Sequence, residues 1–208
     1  MIVFDQFSKR FGTVDAVSSL SLTIHAGEVV ALCGPNGSGK TTSIKAAAGL
    51  IRPTSGRVLV GPFAQSAWDP KARAFCSFLP QKVAFPGALT GREVLEFYRA
   101  LRGISPRGAA DVLAFTGLNG ATDRPVSTYS GGMAQRLALA VALLPDAPVL
   151  LLDEPTAALD ASGLAAFYEL IDQRRAKGQT VLFSSHHTGD VERLADRVVV
   201  MAEGRCVA

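Results

Sequence analysis

The amino-acid sequence predicts an α/β fold with a core built on a parallel sheet, an antiparallel β part and an inserted α-helical part. A glycine-rich turn at residues 34–42 lies between an apolar strand and a helix. The chain from residue 147 alternates strands with helices, which favours parallel strands joined by right-handed crossovers. Residues 84–146 show only helical periodicity. We therefore expect one domain, with residues 1–83 and 147–208 as its core and 84–146 as a helical subdomain.

The first third of the chain predicts antiparallel strands. Apolar and polar residues alternate over Ile2–Phe7 and Ser19–Ile24, as they do in half-buried strands, and Lys9–Gly12 predicts a turn between them. Arg57–Val60 predicts a further strand of this region, and Phe75–Leu79 after it predicts a buried strand. The glycine-rich turn would thus interrupt a largely antiparallel region with a single strand–helix unit.

The middle of the chain predicts three helices. Gly91–Leu101 repeats apolar residues at helical spacing. Pro106–Phe115 has a proline near its start and Gly117 after its end, which are typical positions at helix ends. Met133–Leu144 repeats leucine and valine at the same spacing, with alanines between them. This interval is therefore expected to form the helical subdomain.

The last third returns to strands and helices in alternation. Val149–Leu152 is uniformly apolar, which predicts a strand buried on both faces. Ser162–Arg175 predicts an amphipathic helix, and Thr180–Phe183 predicts the next strand. A short helix over Asp190–Ala195 and a strand over Arg197–Met201 complete the pattern, which is typical of a parallel sheet.

The glycine-rich turn matches the phosphate-binding pattern G-x-x-x-x-G-K-[ST]. A predicted strand over Val29–Cys33 precedes it and a predicted helix over Thr42–Leu50 follows it, whereas a chance glycine-rich turn would need neither. Glycines bring backbone N–H groups close to phosphates, and the helix N-terminus adds partial positive charge. Lys40 would contact the β- and γ-phosphates, and Thr41 would bind Mg²⁺. The motif comprises Gly34, Pro35, Asn36, Gly37, Ser38, Gly39, Lys40, Thr41 and Thr42.

Two acidic residues, Asp153 and Glu154, follow the apolar strand at Val149–Leu152. Open α/β sheets bind ligands at the carboxyl ends of their strands, so both acids are candidates for the site. Successive side chains point to opposite faces of a strand, and the two acids can therefore have different roles. Asp153 suits Mg²⁺ binding and Glu154 suits a general base for the attacking water. The alternative is a solvated acidic pair at the end of the strand.

Ser130, Gly131 and Gly132 stand just before the predicted helix that carries Gln135 and Arg136. A serine followed by two glycines at a helix start predicts a second anion site. A single chain with a single nucleotide does not obviously need two such sites. A serine that only caps the helix before a flexible turn explains the same residues.

Together these motifs resemble the ATP-binding subunits of ABC transporters, in the family's order and over almost the whole chain. Residues 34–41 resemble the Walker A motif, residues 129–133 the signature motif, and residues 149–154 the Walker B motif with its catalytic glutamate. Tyr129 and Met133 replace a commoner leucine and glutamine, but the serine and both glycines are kept. Four single residues match further motifs: Phe11 the aromatic that stacks on adenine, Gln81 the Q-loop glutamine, Asp160 the D-loop aspartate and His186 the switch histidine.

The resemblance implies a P-loop NTPase fold with a RecA-like core that hydrolyses ATP. Two ATPase subunits, identical or paired, would close head to tail around two ATP molecules. Ser130 and Gly132 of one subunit would then contact the γ-phosphate held by Lys40 of the other, which gives the second anion site a use. His186 would hold the same phosphate, with Asp160 of the opposite subunit. The implied catalytic residues are Glu154, His186 and Gln81, and the implied Mg²⁺ ligands are Thr41, Gln81 and Asp153.

The resemblance also implies a transmembrane permease subunit as partner and a cytoplasmic position, peripheral on the inner face of the cell membrane. Likeness to the copper-enzyme maturation, multidrug and haem-exporter groups implies export. Val83, Phe85 and Leu89 are candidate contacts to the permease because they lie near Gln81 in the sequence. Ordinary core packing of these three residues is the alternative.

Composition excludes several other classes. The net charge of +3 is spread along the chain and makes no case for nucleic acid. Cys33, Cys76 and Cys206 are too widely spaced for a zinc site and predict reduced thiols. Apolar runs stay far below the ~20 residues of a membrane span.

A soluble ABC-type ATPase, such as one in iron–sulfur cluster assembly, remains the alternative function. A small-molecule kinase has no use for the second anion site, and the N-K-x-D motif of GTPases is missing from the sequence.

Overall fold

The computed structural model describes residues 1–105, 112, 117–118 and 120–207. These residues fall into two units. The first contains Met1–Phe78, Ala147–Glu154 and Ile171–Ala208, and the second contains Leu79–Asp146 and Pro155–Leu170. The helix predicted over residues 106–115 lies outside the described residues, apart from Val112.

The strands of the described residues form two sheets, one of four strands in the order β2-β1-β4-β5 and one of six in the order β10-β9-β3-β8-β7-β6. In the second sheet β3 is parallel to β8 and β9, and β7 is parallel to β8, which confirms the predicted parallel core. The strands are β1 (Ile2–Phe11), β2 (Val14–Ile24), β3 (Val29–Cys33), β4 (Ser55–Val60), β5 (Gln65–Ser66), β6 (Cys76–Leu79), β7 (Val149–Asp153), β8 (Thr180–Ser184), β9 (Arg197–Ala202) and β10 (Arg205–Cys206).

The first two strands form a longer hairpin than the sequence predicts. Strand β1 continues to Phe11, which pairs with Val14, so the predicted turn over Lys9–Gly12 was wrong. Arg10 pairs across the hairpin with Asp15 and binds its carboxylate at 2.6 Å, which supports the extended pairing. Register shifts on both sides of Lys9 break the apolar alternation that marks a strand in the sequence.

The helices lie close to the predicted positions. Helix α3 begins with a capping box, in which Thr90 accepts from the Glu93 N–H and the Glu93 carboxylate accepts from the Thr90 N–H. Helix α2 and strands β5 and β10 were not predicted, because elements of two to four residues are too short to show periodicity. The described helices are α1 (Lys40–Ala47), α2 (Pro70–Arg73), α3 (Gly91–Leu101), α4 (Gly131–Leu143), α5 (Ala161–Ala176) and α6 (Thr188–Leu194), with a 3₁₀ turn at Val126–Thr128.

Each unit has its own apolar cluster. In the first unit, residues of both sheets pack with helix α1, among them Phe4, Leu32 and Ile44. In the second unit, α3 and α4 pack through Val94, Leu137 and their neighbours. None of the helices in the described part of the chain has the length and apolar character needed to cross a bilayer.

The second unit differs in extent from the predicted helical subdomain, because Pro155–Leu170 belongs with the helices. Helix α4 holds this segment directly: Gln135 Nε2 donates to the Pro155 carbonyl at 3.2 Å, and Arg136 forms an ion pair with Asp160. Phe85 and Leu89 pack against the apolar cluster of this unit, and Phe85 meets the Tyr98 ring edge-on at 6.3 Å. Core packing is therefore the better account of these two residues.

Candidate functional site

The predicted motifs of the first unit meet at one edge of the six-stranded sheet. Because β3, β7 and β8 are parallel, their carboxyl ends lie at the same edge. Strand pairing places Leu32 and Asp153 on either side of Ser184. The glycine-rich loop, the two acids and the Ser184–His186 segment therefore leave the sheet side by side.

The glycine-rich loop needs glycine at specific positions. A Cβ on Gly34 would lie 2.0 Å from the Met201 carbonyl oxygen, and a Cβ on Gly39 would lie 2.7 Å from that of Ala16. Both glycines also have positive φ angles, of 138° and 101°. Helix α1 starts immediately after Gly39, which gives it no side-chain cap. The first N–H groups of the helix therefore have no capping side chain as acceptor and are available to bind an anion.

Lys40 is held inside the loop. Its side chain is buried, and Nζ donates to the carbonyl oxygens of Gly34 at 2.7 Å and of Pro35 at 3.0 Å. Both acceptors are neutral, so the ammonium charge is positioned without being neutralised by them. A phosphate in the concavity would supply the missing negative charge.

Asp153 and Thr41 place oxygen ligands next to the loop. Asp153 is buried, and its Oδ1 accepts from Thr41 Oγ1 at 3.1 Å and from Ser184 Oγ at 2.8 Å. Its Oδ2 is also buried and has no hydrogen-bond partner among the described residues. A carboxylate oxygen without a partner beside a threonine hydroxyl is the hard oxygen chemistry that Mg²⁺ prefers, so the residues present fit that ion.

Glu154 has different partners from Asp153. Its backbone N–H donates to Ser184 Oγ at 2.9 Å, and its buried carboxylate oxygen Oε2 lies 2.8 Å from Nδ1 of the exposed His186. The φ angle of Glu154 is +51°, in the left-handed region that non-glycine residues rarely adopt. Ser184 thus bridges the side chain of one acid and the backbone of the next. Ser184 was not among the predicted site residues, although it directly follows the predicted strand Thr180–Phe183.

The start of helix α4 carries the second predicted anion site, in the second unit. Ser130 and Gly131 are exposed, and Ser130 Oγ accepts from the Met133 N–H at 3.3 Å, as an N-cap does. A Cβ on Gly132 would lie 2.8 Å from the Ala158 carbonyl oxygen, so glycine lets the residue 155–160 segment approach the helix. The serine therefore caps the helix and faces solvent at the same time.

Asp160 is bound by residues of its own unit. Its Oδ1 accepts from the Gly163 N–H at 2.9 Å and from Ser162 Oγ at 3.0 Å, and Arg136 forms an ion pair with it. The pKa of Asp160 lies below its ordinary value, first because of the Gly163 N–H and then because of Arg136 and Ser162. Arg136 was not predicted to have a role, and its place on the helix after Ser130 was the only signal of one.

The remaining predicted residues lie at the surface or in the loop. Phe11 ends strand β1 with 49% of its surface exposed, and the Lys9 ammonium lies 4.9 Å from its ring centroid. Gln81 is exposed and lies just beyond the end of β6. The remaining residues of the glycine-rich loop differ in exposure: Pro35, Asn36 and Gly37 are exposed, Ser38 is buried, and Thr42 is half-buried in α1.

Comparison with known proteins identifies close relatives. The family model described as ABC transporter matches residues 17–157. The chain is 40% identical over 211 residues to the uncharacterized ABC transporter ATP-binding protein YxlF of Bacillus subtilis. The alignment covers 98% of this chain and 68% of that protein. It is 37% identical over 211 residues to the Nod factor export ATP-binding protein I of Burkholderia lata, and this alignment covers 100% of this chain and 69% of that protein.

Solved structures agree with these relatives. The whole chain superposes on the dimeric structure of MJ0796, a bacterial ABC transporter cassette, with a TM-score of 0.90, 27% identity and 97% of that chain covered. A dimeric post-hydrolysis state of the same cassette, bound to ADP and Pi, gives a TM-score of 0.87 with 26% identity and the same coverage of both chains.

Proposed function

The chain belongs to the ABC transporter family as an ATP-binding ATPase, and from that premise we propose that it powers export through a separate transmembrane permease subunit. ATP binds at the sheet edge of the first unit, and a second ATPase subunit, identical or paired, closes over it head to tail. The chain acts in the cytoplasm, peripheral on the inner face of the membrane. The name of the Nod factor export relative supports export as the direction.

The observation that carries this proposal is the arrangement around Ser184. Asp153 meets Thr41 on one side, and Glu154 meets His186 on the other. Two oxygen ligands for a metal ion and a carboxylate base with its histidine are thus next to the glycine-rich loop. That loop positions Lys40 through two neutral carbonyl oxygens. These are the groups that phosphoryl transfer to water requires.

Each residue has a role in this proposal. Lys40 and the N–H groups of the loop bind the β- and γ-phosphates, while Thr41 and Asp153 would hold Mg²⁺. The resemblance to ABC subunits adds Gln81 as a further ligand of that ion. That ion, when bound, neutralises charge on the phosphate oxygens. Glu154 accepts a proton from the attacking water, and His186 contacts the γ-phosphate. Phe11 stacks on adenine, and the second subunit contributes Ser130, Gly131, Gly132 and Asp160 from across the interface.

A complementation experiment tests the shared site. Lys40→Ala removes the cation from the loop, and Ser130→Arg places a bulky cation at the exposed tip of α4. We expect each purified variant alone to lose ATP turnover. A mixture should recover part of it, because a mixed dimer joins the intact Lys40 of one chain to the intact Ser130 of the other. A mixture as inactive as its components contradicts the head-to-tail site.

The partner is tested separately by affinity purification of the tagged chain from a detergent extract. Recovery of a polytopic membrane protein supports the transport function. Recovery of soluble assembly proteins alone, such as those of iron–sulfur cluster assembly, contradicts it. The Lys40→Ala variant is a useful second bait, because it separates association with the partner from nucleotide binding.

A further inference from the structure

Tyr129, the residue immediately before Ser130, contacts the start of helix α3. Its hydroxyl donates to the Ala121 carbonyl oxygen at 2.8 Å, and the same phenol oxygen lies directly against Gly91, the first residue of α3. Burial raises the pKa of Tyr129 above its ordinary value, so the hydroxyl keeps its proton at neutral pH. One oxygen therefore joins the first residue of α3 to the loop that precedes Ser130.

Gly91 makes room for this hydroxyl. It is buried as the first residue of α3, and a Cβ at this position would lie 2.2 Å from the Tyr129 oxygen and 3.2 Å from Cζ of the ring. The first distance is impossible for two atoms that are not bonded, whereas the second needs a shift of only a few tenths of an ångström. The glycine and the phenol are therefore fitted to one another, and the clash depends on a single atom.

Tyr129, one member of this fitted pair, is adjacent in sequence to the exposed Ser130. The Tyr129 N–H donates to Val126 at 3.0 Å, and its ring packs on the apolar cluster between α3 and α4. Ser130 itself has no such burial and is fixed by its backbone and its capping bond. The direction of the Ser130 hydroxyl therefore depends on how the preceding residue is held.

We propose that Tyr129 is a positioning residue, whose hydroxyl seated against Gly91 sets the orientation of Ser130 toward the nucleotide of the second subunit. This inference rests on the proposed function. A group that binds a transferring phosphate has to be held within about 0.5 Å of its working position, and an exposed helix cap does not achieve this alone. A leucine at this position would have no polar atom, so only the phenol oxygen supplies the contacts with Ala121 and Gly91.

The first test is Tyr129→Phe, which removes one oxygen and keeps the ring. We expect unchanged ATP affinity of the isolated chain, because the loop at Lys40 is untouched. Turnover at saturating ATP should fall about fivefold, the effect of one neutral hydrogen bond. In a Glu154→Gln background, ATP-dependent dimerisation should weaken by about the same factor. Tyr98→Phe, in the same apolar cluster, is the matched control and should leave both quantities unchanged.

The second test uses the fit between the two residues. We expect Gly91→Ala to reduce turnover and dimerisation more than Tyr129→Phe does, because the new methyl group displaces the phenol. The double variant should return to the level of Tyr129→Phe, since the clashing oxygen is gone. If Gly91→Ala does not fold, the double variant should restore folding as well as activity.

The inference is overturned by a Tyr129→Phe variant equal to the wild type, by a Gly91→Ala variant equal to the wild type, or by a Gly91→Ala defect that removal of the hydroxyl does not relieve. A lowered melting temperature in Tyr129→Phe with unchanged turnover also overturns it, because that result indicates a structural role alone. The proposed function is judged independently by complementation between Lys40→Ala and Ser130→Arg. Successful complementation together with a silent Tyr129→Phe removes only the role of Tyr129.

Discussion

The sheet edge of the first unit and the start of helix α4 in the second unit differ in how their polar groups are held. Lys40, Asp153 and Glu154 are 6%, 0% and 5% exposed, and each has hydrogen-bond partners from its own unit. Ser130 and Gly131 are exposed. The polar groups of the first region are fixed by contacts within the chain, whereas the second region presents a capped helix end to solvent.

This difference suggests a division of labour. Buried charges with fixed partners are suited to bind a nucleotide within one chain, because little reorganisation is needed on binding. An exposed helix N-terminus attracts an anion weakly while water surrounds it, and more strongly once water is excluded. Changes in the first region should therefore affect binding or chemistry directly. Changes at the exposed Ser130 should affect ATP turnover only when a second subunit is present.

The largest expected effect is on chemistry in the first region. We expect Glu154→Gln to reduce ATP turnover at least ~100-fold, because a proton acceptor at this position is lost. ATP binding should remain, since the loop is intact, and ATP-bound dimers should accumulate in size-exclusion chromatography. Glu192→Gln, an exposed acid on α6, serves as the control. Turnover that persists in Glu154→Gln would assign the base to another residue.

Binding in the first region depends on Lys40. We expect Lys40→Ala to weaken ATP binding by about 100-fold, because a hydrogen bond to a charged group contributes about 1.5–3 kcal/mol. Lys45→Ala on the same helix removes an equal charge farther along α1 and should change affinity little. Isothermal titration calorimetry measures both. Near-equal affinity of Lys40→Ala and wild type would separate this loop from the nucleotide.

Phe11 tests whether the first region also binds the base. We expect Phe11→Ala to weaken ATP binding about tenfold, because stacking of a base on an aromatic ring contributes about 1–3 kcal/mol. Binding of inorganic tripolyphosphate should be unchanged, since it has no base to stack. Phe63→Ala, another exposed aromatic of the first unit, is the control. An equal loss of affinity for ATP and tripolyphosphate would contradict the stacking role.

How much of the molecule was predictable depends on how local each signal is. The bounds of β3 and α3 agree with prediction because apolar runs, glycines and caps are written in consecutive residues. Ser184 was missed because its contact with Asp153 joins strands 31 residues apart, and a lone serine carries no pattern. The fit of Tyr129 to Gly91 was missed for the same reason, since nothing near either residue indicates the other.

In the hairpin of β1 and β2, a local signal was present in the sequence but led to a wrong prediction. Lys9–Gly12 carries charges and a glycine, which are typical of turns, but cross-strand pairing between Arg10 and Asp15 extends strand β1 as far as Phe11. Local preference was overruled by a contact that forms only in the folded chain. Phe11 is the last residue of a strand for that reason, and its exposed ring is held by the sheet instead of by a flexible turn.

The smallest expected effect concerns the ion pair that holds Asp160 to α4 in the second region. The pKa of this carboxyl is lowered by the Gly163 N–H and by Arg136, so ionised Asp160 stabilises the folded chain. This contribution is complete above the ordinary value near 4 and is lost as the pH falls through the lower folded value. We expect Asp160→Asn to be less stable than the wild type at pH 7, and the difference to shrink below pH ~4. Urea denaturation of both chains across this range measures it.

Arg136→Gln is the companion variant for this measurement, because it removes the other half of the same ion pair. Its stability difference from the wild type should also shrink in acid, since protonated Asp160 no longer attracts the guanidinium. The double variant should be less destabilised than the sum of the two single changes, because the residues are in direct contact. Additive effects, or a difference that stays constant down to pH 3, would mean that this ion pair is too screened by solvent to hold the residue 155–160 segment on α4.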